Sequence, residues 1–270
     1  SRMAARAPKI VVPAVLGTAP TVLVMGAGLV GCWLGGRLQA AGAQVHLVGR
    51  PRMLQALGSQ GLALTDLDGG HLALPAASLH LADAVPAGLR PNLVLLCVKS
   101  GATAAAAAEL DAALPAGTLV LSLQNGIGNA DVAQAAAPGL VLLRGMVPFN
   151  VAALGPGQLH RGTGGQLAVQ DHPGLAPWLP WFSAAGLPLA LHADMLPVQW
   201  GKLLLNLNNA VNALSGLPLR AQLLDADLRA CTAGLVSETM FLLRQAGIDF
   251  EEEVVRFDSF DAESQFKKTV

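Results

Sequence analysis

Short apolar runs separated by glycine and polar turns fill the first two-thirds of the chain. The first, Val22 to Met25, gives way to Gly26-Ala27-Gly28-Leu29-Val30-Gly31 and a helix-like segment. A second run, Val45 to Val48, stops at Arg50. Residues 52–59 read as a short helix ending near Gly58 or Gly61. Residues 61–76 then alternate apolar and polar positions around Asp68-Gly69-Gly70, which predicts a hairpin. Leu93 to Val98 is a strand of the buried type, and an alanine-rich helix follows Lys99-Ser100-Gly101 as far as Ala113. Thr118 to Leu123 is another strand, followed by Gln124-Asn125-Gly126 and a helix start. Strands that alternate with helices predict right-handed crossovers and a parallel sheet.

Val141 to Val169 breaks into strand-like pieces with Gly and Pro between them, again suited to hairpins. Ala176 to Gly186 reads as a short helix and Leu187 to His192 as a last strand. After Asp194, a candidate N-cap, the period becomes helical: 196–215, 219–229, then 226–246 ending at Gly247. The expected organisation is α/β. A flexible arm (1–19) precedes a Rossmann-type parallel sheet with added hairpins (20–192), and a smaller all-α part (193–270) follows.

Composition narrows the function. Hydrophobic residues are 53% of the 270 and charged ones 13%, so a large core is easily supplied. A net charge of −1 gives no electrostatic reason to expect nucleic acid or an anionic membrane as partner. No apolar run approaches the roughly 18 residues of a membrane span. Cys32, Cys97 and Cys231 lie far apart without a CxxC pair, which suits a reducing, cytoplasmic setting. The six histidines show no metal-ligand spacing, so no metal site is expected.

The glycine motif sits in the context that gives it meaning, between an apolar strand and a helix with a second strand beyond. In such a turn Gly26 permits the tight bend, Gly28 lets the backbone approach a pyrophosphate, and Gly31 lets helix and strand pack closely. With Ala27, Leu29 and Val30 these residues form the candidate dinucleotide site, with phosphates at the helix N-terminus. An NAD site usually carries an acid at the end of the second strand. Here stand Gly49, Arg50, Pro51 and Arg52, and a guanidinium suits a 2′-phosphate, so NADP is the expected cofactor. Lys99 and Asn125 also follow strands, where a parallel sheet binds its ligands.

A second polar feature lies on the helix VQWGKLLLNLNNAVNALSG. At about 100° per residue, Lys202, Asn206 and Asn209 fall within an arc of roughly 60°. Leu203, Leu204, Leu207, Val211 and Leu214 take the opposite side. Four asparagines in the seven residues 206–212 cost helix propensity without an evident surface benefit. A lysine and amides on one stripe can protonate and orient a carbonyl as hydride reaches its carbon.

Taken together, GAGLVG, Arg50, CVKS at 97–100, QNG at 124–126 and WGKLLLN at 200–206 followed by NNAVNAL resemble the ketopantoate reductases. That family reduces 2-dehydropantoate to pantoate with NADPH, in pantothenate and coenzyme A biosynthesis. The resemblance covers most of the chain. It implies Lys202 as proton donor, Asn206 and Asn125 against the 2-oxo acid, and Arg50 and Lys99 against NADP. A further family asparagine, four positions after Asn206, is Ala210 here, which leaves its part to Asn209 or Asn212. The family's serine and acidic motif have no counterpart in FEEEVVRFDSFDAESQFKKTV, so either the helical part is incomplete here or the protein departs from that family. Two other readings stay open at this stage: a reductase of a different 2-oxo or 3-oxo acid, and a non-catalytic NADP-binding module. The small apolar helical half suits a homodimer.

Overall fold

The computed structural model describes residues 18–216, 221 and 224–250. In chain order its elements begin β1 (Thr21–Met25), α1 (Leu29–Ala40), β2 (Gln44–Val48), α2 (Pro51–Gln60), β3 (Leu62–Asp66), β4 (His71–Leu74), β5 (His80–Ala82) and β6 (Leu93–Leu96). They continue with α3 (Thr103–Ala113), β7 (Leu119–Ser122), α4 (Asn129–Ala136), β8 (Val141–Met146), β9 (Val151–Gly155), β10 (Gln158–Arg161) and β11 (Leu167–Gln170). Last come α5 (Leu179–Ala184), β12 (Leu189–His192), α6 (Leu196–Ser215) and α7 (Ala226–Gln245).

Eight strands form one sheet in the order β12-β11-β8-β7-β6-β1-β2-β5. Every pair from β5 to β8 is parallel. β11 then runs antiparallel to β8, and β12 parallel to β11. Sequence order reverses at β1, which lies between β2 and β6, so a crevice opens beyond the carboxyl ends of β1 and β6. The central strands are buried on both faces. Val22 and Val24 pack with Trp33 and Leu34 on one side, while Leu23 and Met25 meet Ala106, Leu110 and Ala133 on the other.

The predicted hairpin forms as β3–β4, with Gly69 at φ +84° and Gly70 N–H donating to Asp68 Oδ1 at 2.9 Å. The segment 141–169 divides in a way the pattern did not indicate. β8 joins the main sheet as a parallel strand, β9–β10 is a hairpin, and β11 returns to the main sheet. The two hairpins unite in a second sheet, β4-β3-β10-β9, through parallel pairing of β3 with β10. A nearly buried Asp66 joins these strands by accepting two bonds from Arg161, Nε to Oδ1 at 2.8 Å and Nη2 to Oδ2 at 2.9 Å.

α1 lies between the two sheets, which explains its adjacent glycines. A Cβ on Gly35 would come within 3.0 Å of Leu47 Cδ2, in the main sheet. One on Gly36 would come within 2.8 Å of Leu62 Cδ2, in the second. Each burial of a Leu or Val side chain along this helix contributes about 1.5–3 kcal/mol, and close approach on both sides makes that burial complete.

The helical part starts where expected: Asp194 Oδ1 accepts from Leu196 N–H at 3.0 Å at the head of α6. Trp200, Leu204 and Leu207 of α6 pack against Val236, Met240 and Leu243 of α7. α7 is capped by Asp225, and Gly247 follows its end at φ +68°. The predicted burial of the α6 apolar side stops short of its end, since Leu214 is 90% exposed. The predicted helix 219–229 is not continuous: Asp225 is extended and starts a new helix, so 226–229 belong to α7, while 219, 220, 222 and 223 lie outside the described residues, as do the arm up to Gly17 and the segment 251–270. Among the described residues no helix is long and apolar enough to cross a membrane.

Candidate active site

Three loops converge at the carboxyl end of the sheet. The turn after β1 is tied to β2, because Gly26 N–H and Ala27 N–H both donate to the Val48 carbonyl, at 2.9 and 2.8 Å. Gly26 has φ +109°, and a Cβ there would lie 2.6 Å from Val98 N, so the turn presses on the loop after β6. Gly31 is crowded by the turn itself, since a Cβ there would lie 2.2 Å from Gly26 O. Gly28 differs from both: no atom lies within 4 Å of where its Cβ would stand. It is the extended N-cap of α1, which has no side-chain cap and no acid in its first turn. The N-terminal N–H groups of α1, from Leu29 and Val30, therefore face space suited to an anion.

Arg50 is exposed at the head of α2, immediately past β2, and Lys99 is exposed immediately past β6. Neither side chain has a hydrogen bond or ion pair among the described residues. Asn125 is exposed just past β7. Every residue predicted on the sheet thus stands at the same edge.

Residues to which the sequence reading gave no role of their own hold these loops. Gln124 is buried after β7; its Oε1 accepts from Ser122 Oγ at 3.0 Å, and its Nε2 donates to the Val98 carbonyl at 2.9 Å and to Thr103 Oγ1 at 2.7 Å. Thr103 Oγ1 donates to Asn129 Oδ1 at 3.4 Å, and Asn129 Nδ2 donates to the Asn125 carbonyl at 2.7 Å. The available signal was a glutamine closing an apolar strand, where a buried amide requires partners.

The polar stripe of α6 turns toward this edge. Met195 and Val198, at the start of the same face, pack on Met146 of β8 and Ala168 of β11. Lys202 follows one turn on, half-buried, and its Nζ donates to the Pro148 carbonyl at 3.3 Å, two residues beyond β8. Burial lowers its pKa from the ordinary lysine value. Gln199 lies beside it with a buried Oε1 that has no partner among the described residues. Asn206 is half-buried one turn further along, and Asn209 is on the helix with its side chain outside the described residues. The stripe is therefore no solvated surface; it brings an ammonium to the strand ends. Among the described residues no three His, Cys, Asp or Glu side chains gather as metal ligands.

The chain matches the family model of ketopantoate reductase PanE/ApbA over residues 22–174. The 2-dehydropantoate 2-reductase of Halobacterium salinarum is 30% identical over 251 residues, covering 87% of this chain and 78% of that protein. A PanE/ApbA family ketopantoate reductase from Ralstonia eutropha JMP134 superimposes with a TM-score of 0.78 at 30% identity, over 90% of this chain and 80% of the other. The fold also occurs in D-mandelate dehydrogenase, solved as a ternary complex with NADH, at 21% identity and a TM-score of 0.75 over 90% and 80% of the two chains. With the glycine turn, the sheet edge and the Lys202 stripe in one place, the chain belongs to the ketopantoate reductase PanE/ApbA family of oxidoreductases.

Proposed function

We propose that this chain catalyses the NADPH-dependent reduction of 2-dehydropantoate (ketopantoate) to pantoate, with Lys202 as proton donor. The hydrogen bond from Lys202 Nζ to the Pro148 carbonyl carries the reading. It sets a partly desolvated ammonium beside the strand ends, where parallel sheets of this kind take their ligands.

The residues present fit NADP(H). Gly28 leaves open space at an uncapped helix start, as a pyrophosphate requires. Arg50 carries an unpaired guanidinium at the position that distinguishes a 2′-phosphate from a 2′-hydroxyl. Lys99 and Asn125 complete the cofactor side from the neighbouring loops. When bound, the nicotinamide supplies a hydride to the 2-oxo carbon.

Lys202 gives a proton from Nζ to the 2-oxo oxygen, which turns the carbonyl into a hydroxyl. Asn206 donates an amide N–H to the same oxygen or to the substrate hydroxyl, and Asn125 and Asn209 contact the substrate. These groups hold the carbonyl in line rather than alter its chemistry. The isolated cysteines suit a cytoplasmic setting, and the exposed Leu214, Phe241 and Leu242 suit a homodimer.

NADPH absorbance followed with and without ketopantoate tests the reading. Turnover that requires ketopantoate, is faster with NADPH than NADH, and loses that preference in Arg50→Asp is expected. Loss of about tenfold to a hundredfold in NADPH affinity is the size of a charge-assisted bond to phosphate. Turnover of another oxo acid with none of ketopantoate would replace the substrate; equal use of NADPH and NADH by the parent protein would remove the Arg50 assignment.

A further inference from the structure

A hydrogen-bonded chain from the buried Ser122 through Gln124 and Thr103 to the half-buried Asn129 joins two loops that carry different parts of the proposed site. Val98, whose carbonyl Gln124 holds, directly precedes Lys99. Gln124 itself directly precedes Asn125, whose carbonyl Asn129 holds. The working side chains of Lys99 and Asn125 are exposed, while the backbone beneath each is fixed from below. Thr103 is 0% exposed, Ser122 3% and Gln124 8%.

The donors and acceptors run in one direction along this chain. A glutamine amide supplies the one acceptor and two donors that Ser122, Val98 and Thr103 require. A carboxylate or an apolar side chain of the same length would leave the Val98 carbonyl and Thr103 without their donor. Each buried group so abandoned costs about 1–3 kcal/mol. Two loops that moved separately would have to be ordered when ligands bind, and fixing them beforehand removes that cost.

We propose that Gln124 is a positioning residue which, through Thr103 and Asn129, holds Lys99 and Asn125 as one rigid pair. The cofactor-facing group and the substrate-facing group then keep a fixed separation although they belong to different strand–helix units. This inference rests on the site reading above, and its test separates the two.

Thr103→Val keeps the volume and removes the hydroxyl; Thr103→Ser keeps the hydroxyl and removes a methyl group. Both are compared with Gln124→Leu, measuring melting temperature, kcat, and KM for NADPH and ketopantoate on the same preparations. Thr103→Val and Gln124→Leu are expected to raise both KM values about tenfold, the scale of losing one or two buried hydrogen bonds. Thr103→Ser is expected to lower the melting temperature while KM stays at the parent value. If Thr103→Ser shifts KM as far as Thr103→Val, or if neither Thr103→Val nor Gln124→Leu moves it, the network is only a structural support and the proposal falls. Lys99→Ala and Asn125→Ala serve as the control. Unchanged KM in both would overturn the site reading and leave Gln124 with nothing to position.

Discussion

Lys202 and Pro148, 54 residues apart in sequence, meet through a 3.3 Å hydrogen bond from Nζ to the proline carbonyl. The bond links the first helix beyond the sheet to the loop leaving β8, the outermost strand of the parallel run. An ammonium has three N–H bonds, so this tether leaves two for a reactant.

If Lys202 is the proton donor, Lys202→Ala should lower kcat by about a hundredfold or more, the usual contribution of a positioned acid. Burial holds its pKa below the ordinary value, so kcat should be level at lower pH and fall as pH rises through that depressed value. The falling limb should vanish in Lys202→Arg, whose guanidinium keeps its proton. A pH–rate profile of parent and variant checks this, and an identical limb in both would exclude Lys202 as its source. For stability the same shift acts the other way. The unfolded chain binds this proton more tightly, so the cost of the buried charge is full below the folded pKa and is relieved as pH rises toward 10.5.

Gly28 and Gly31 should respond oppositely to alanine. A Cβ at Gly28 meets no atom within 4 Å, whereas one at Gly31 lies 2.2 Å from Gly26 O. Gly31→Ala should destabilise the fold by about 1–3 kcal/mol, the usual cost of overpacking. Gly28→Ala should melt with the parent protein yet bind NADPH more weakly, by filling the space a pyrophosphate would occupy. Calorimetry beside a cofactor titration distinguishes them; unchanged cofactor affinity in a stable Gly28→Ala would speak against phosphate at that turn.

The three cysteines should differ in reactivity. Burial pushes the Cys32 and Cys97 thiols up to about 12, with the neighbouring Cys32 adding to the shift at Cys97. Cys231 is exposed on α7. Thiolate is the reactive form, so a thiol reagent at neutral pH should label Cys231 first, the half-buried Cys97 more slowly and the buried Cys32 only on unfolding. Rapid labelling of Cys32 in the native protein would show that α1 opens to solvent.

Much of this architecture was legible in the chain because it depends on local pattern. The apolar runs marked the strands of the parallel sheet, Asp68-Gly69-Gly70 marked a hairpin, and the glycine spacing marked the turn after β1. What escaped was pairing over long separations. Nothing near Leu62 announces that β3 will lie parallel to β10, because the Asp66–Arg161 pair that joins them spans 95 residues. The stripe of Lys202 and Asn206 was visible at helical period, but not what it faces, since that depends on Met195 and Val198 meeting β8 and β11. Gln124 stood out only as part of the QNG motif, with no role of its own, because its importance lies in partners at Val98 and Thr103, which only the finished sheet brings near. The expected contribution of Asn209 concerns a side chain outside the described residues.

The paired glycines of α1 impose a constraint on how this protein can change. Gly35 abuts Leu47, Val24 and Val45, while Gly36 abuts Leu62 and Leu64. Two neighbouring positions therefore answer to different parts of the chain. A side chain gained at Gly35 could be relieved only by trimming the core strands β1 and β2, and one gained at Gly36 only by trimming the hairpin strand β3. Compensating substitutions for the two should not be interchangeable. Families that drift at this helix must then do so along two separate tracks, one for each sheet.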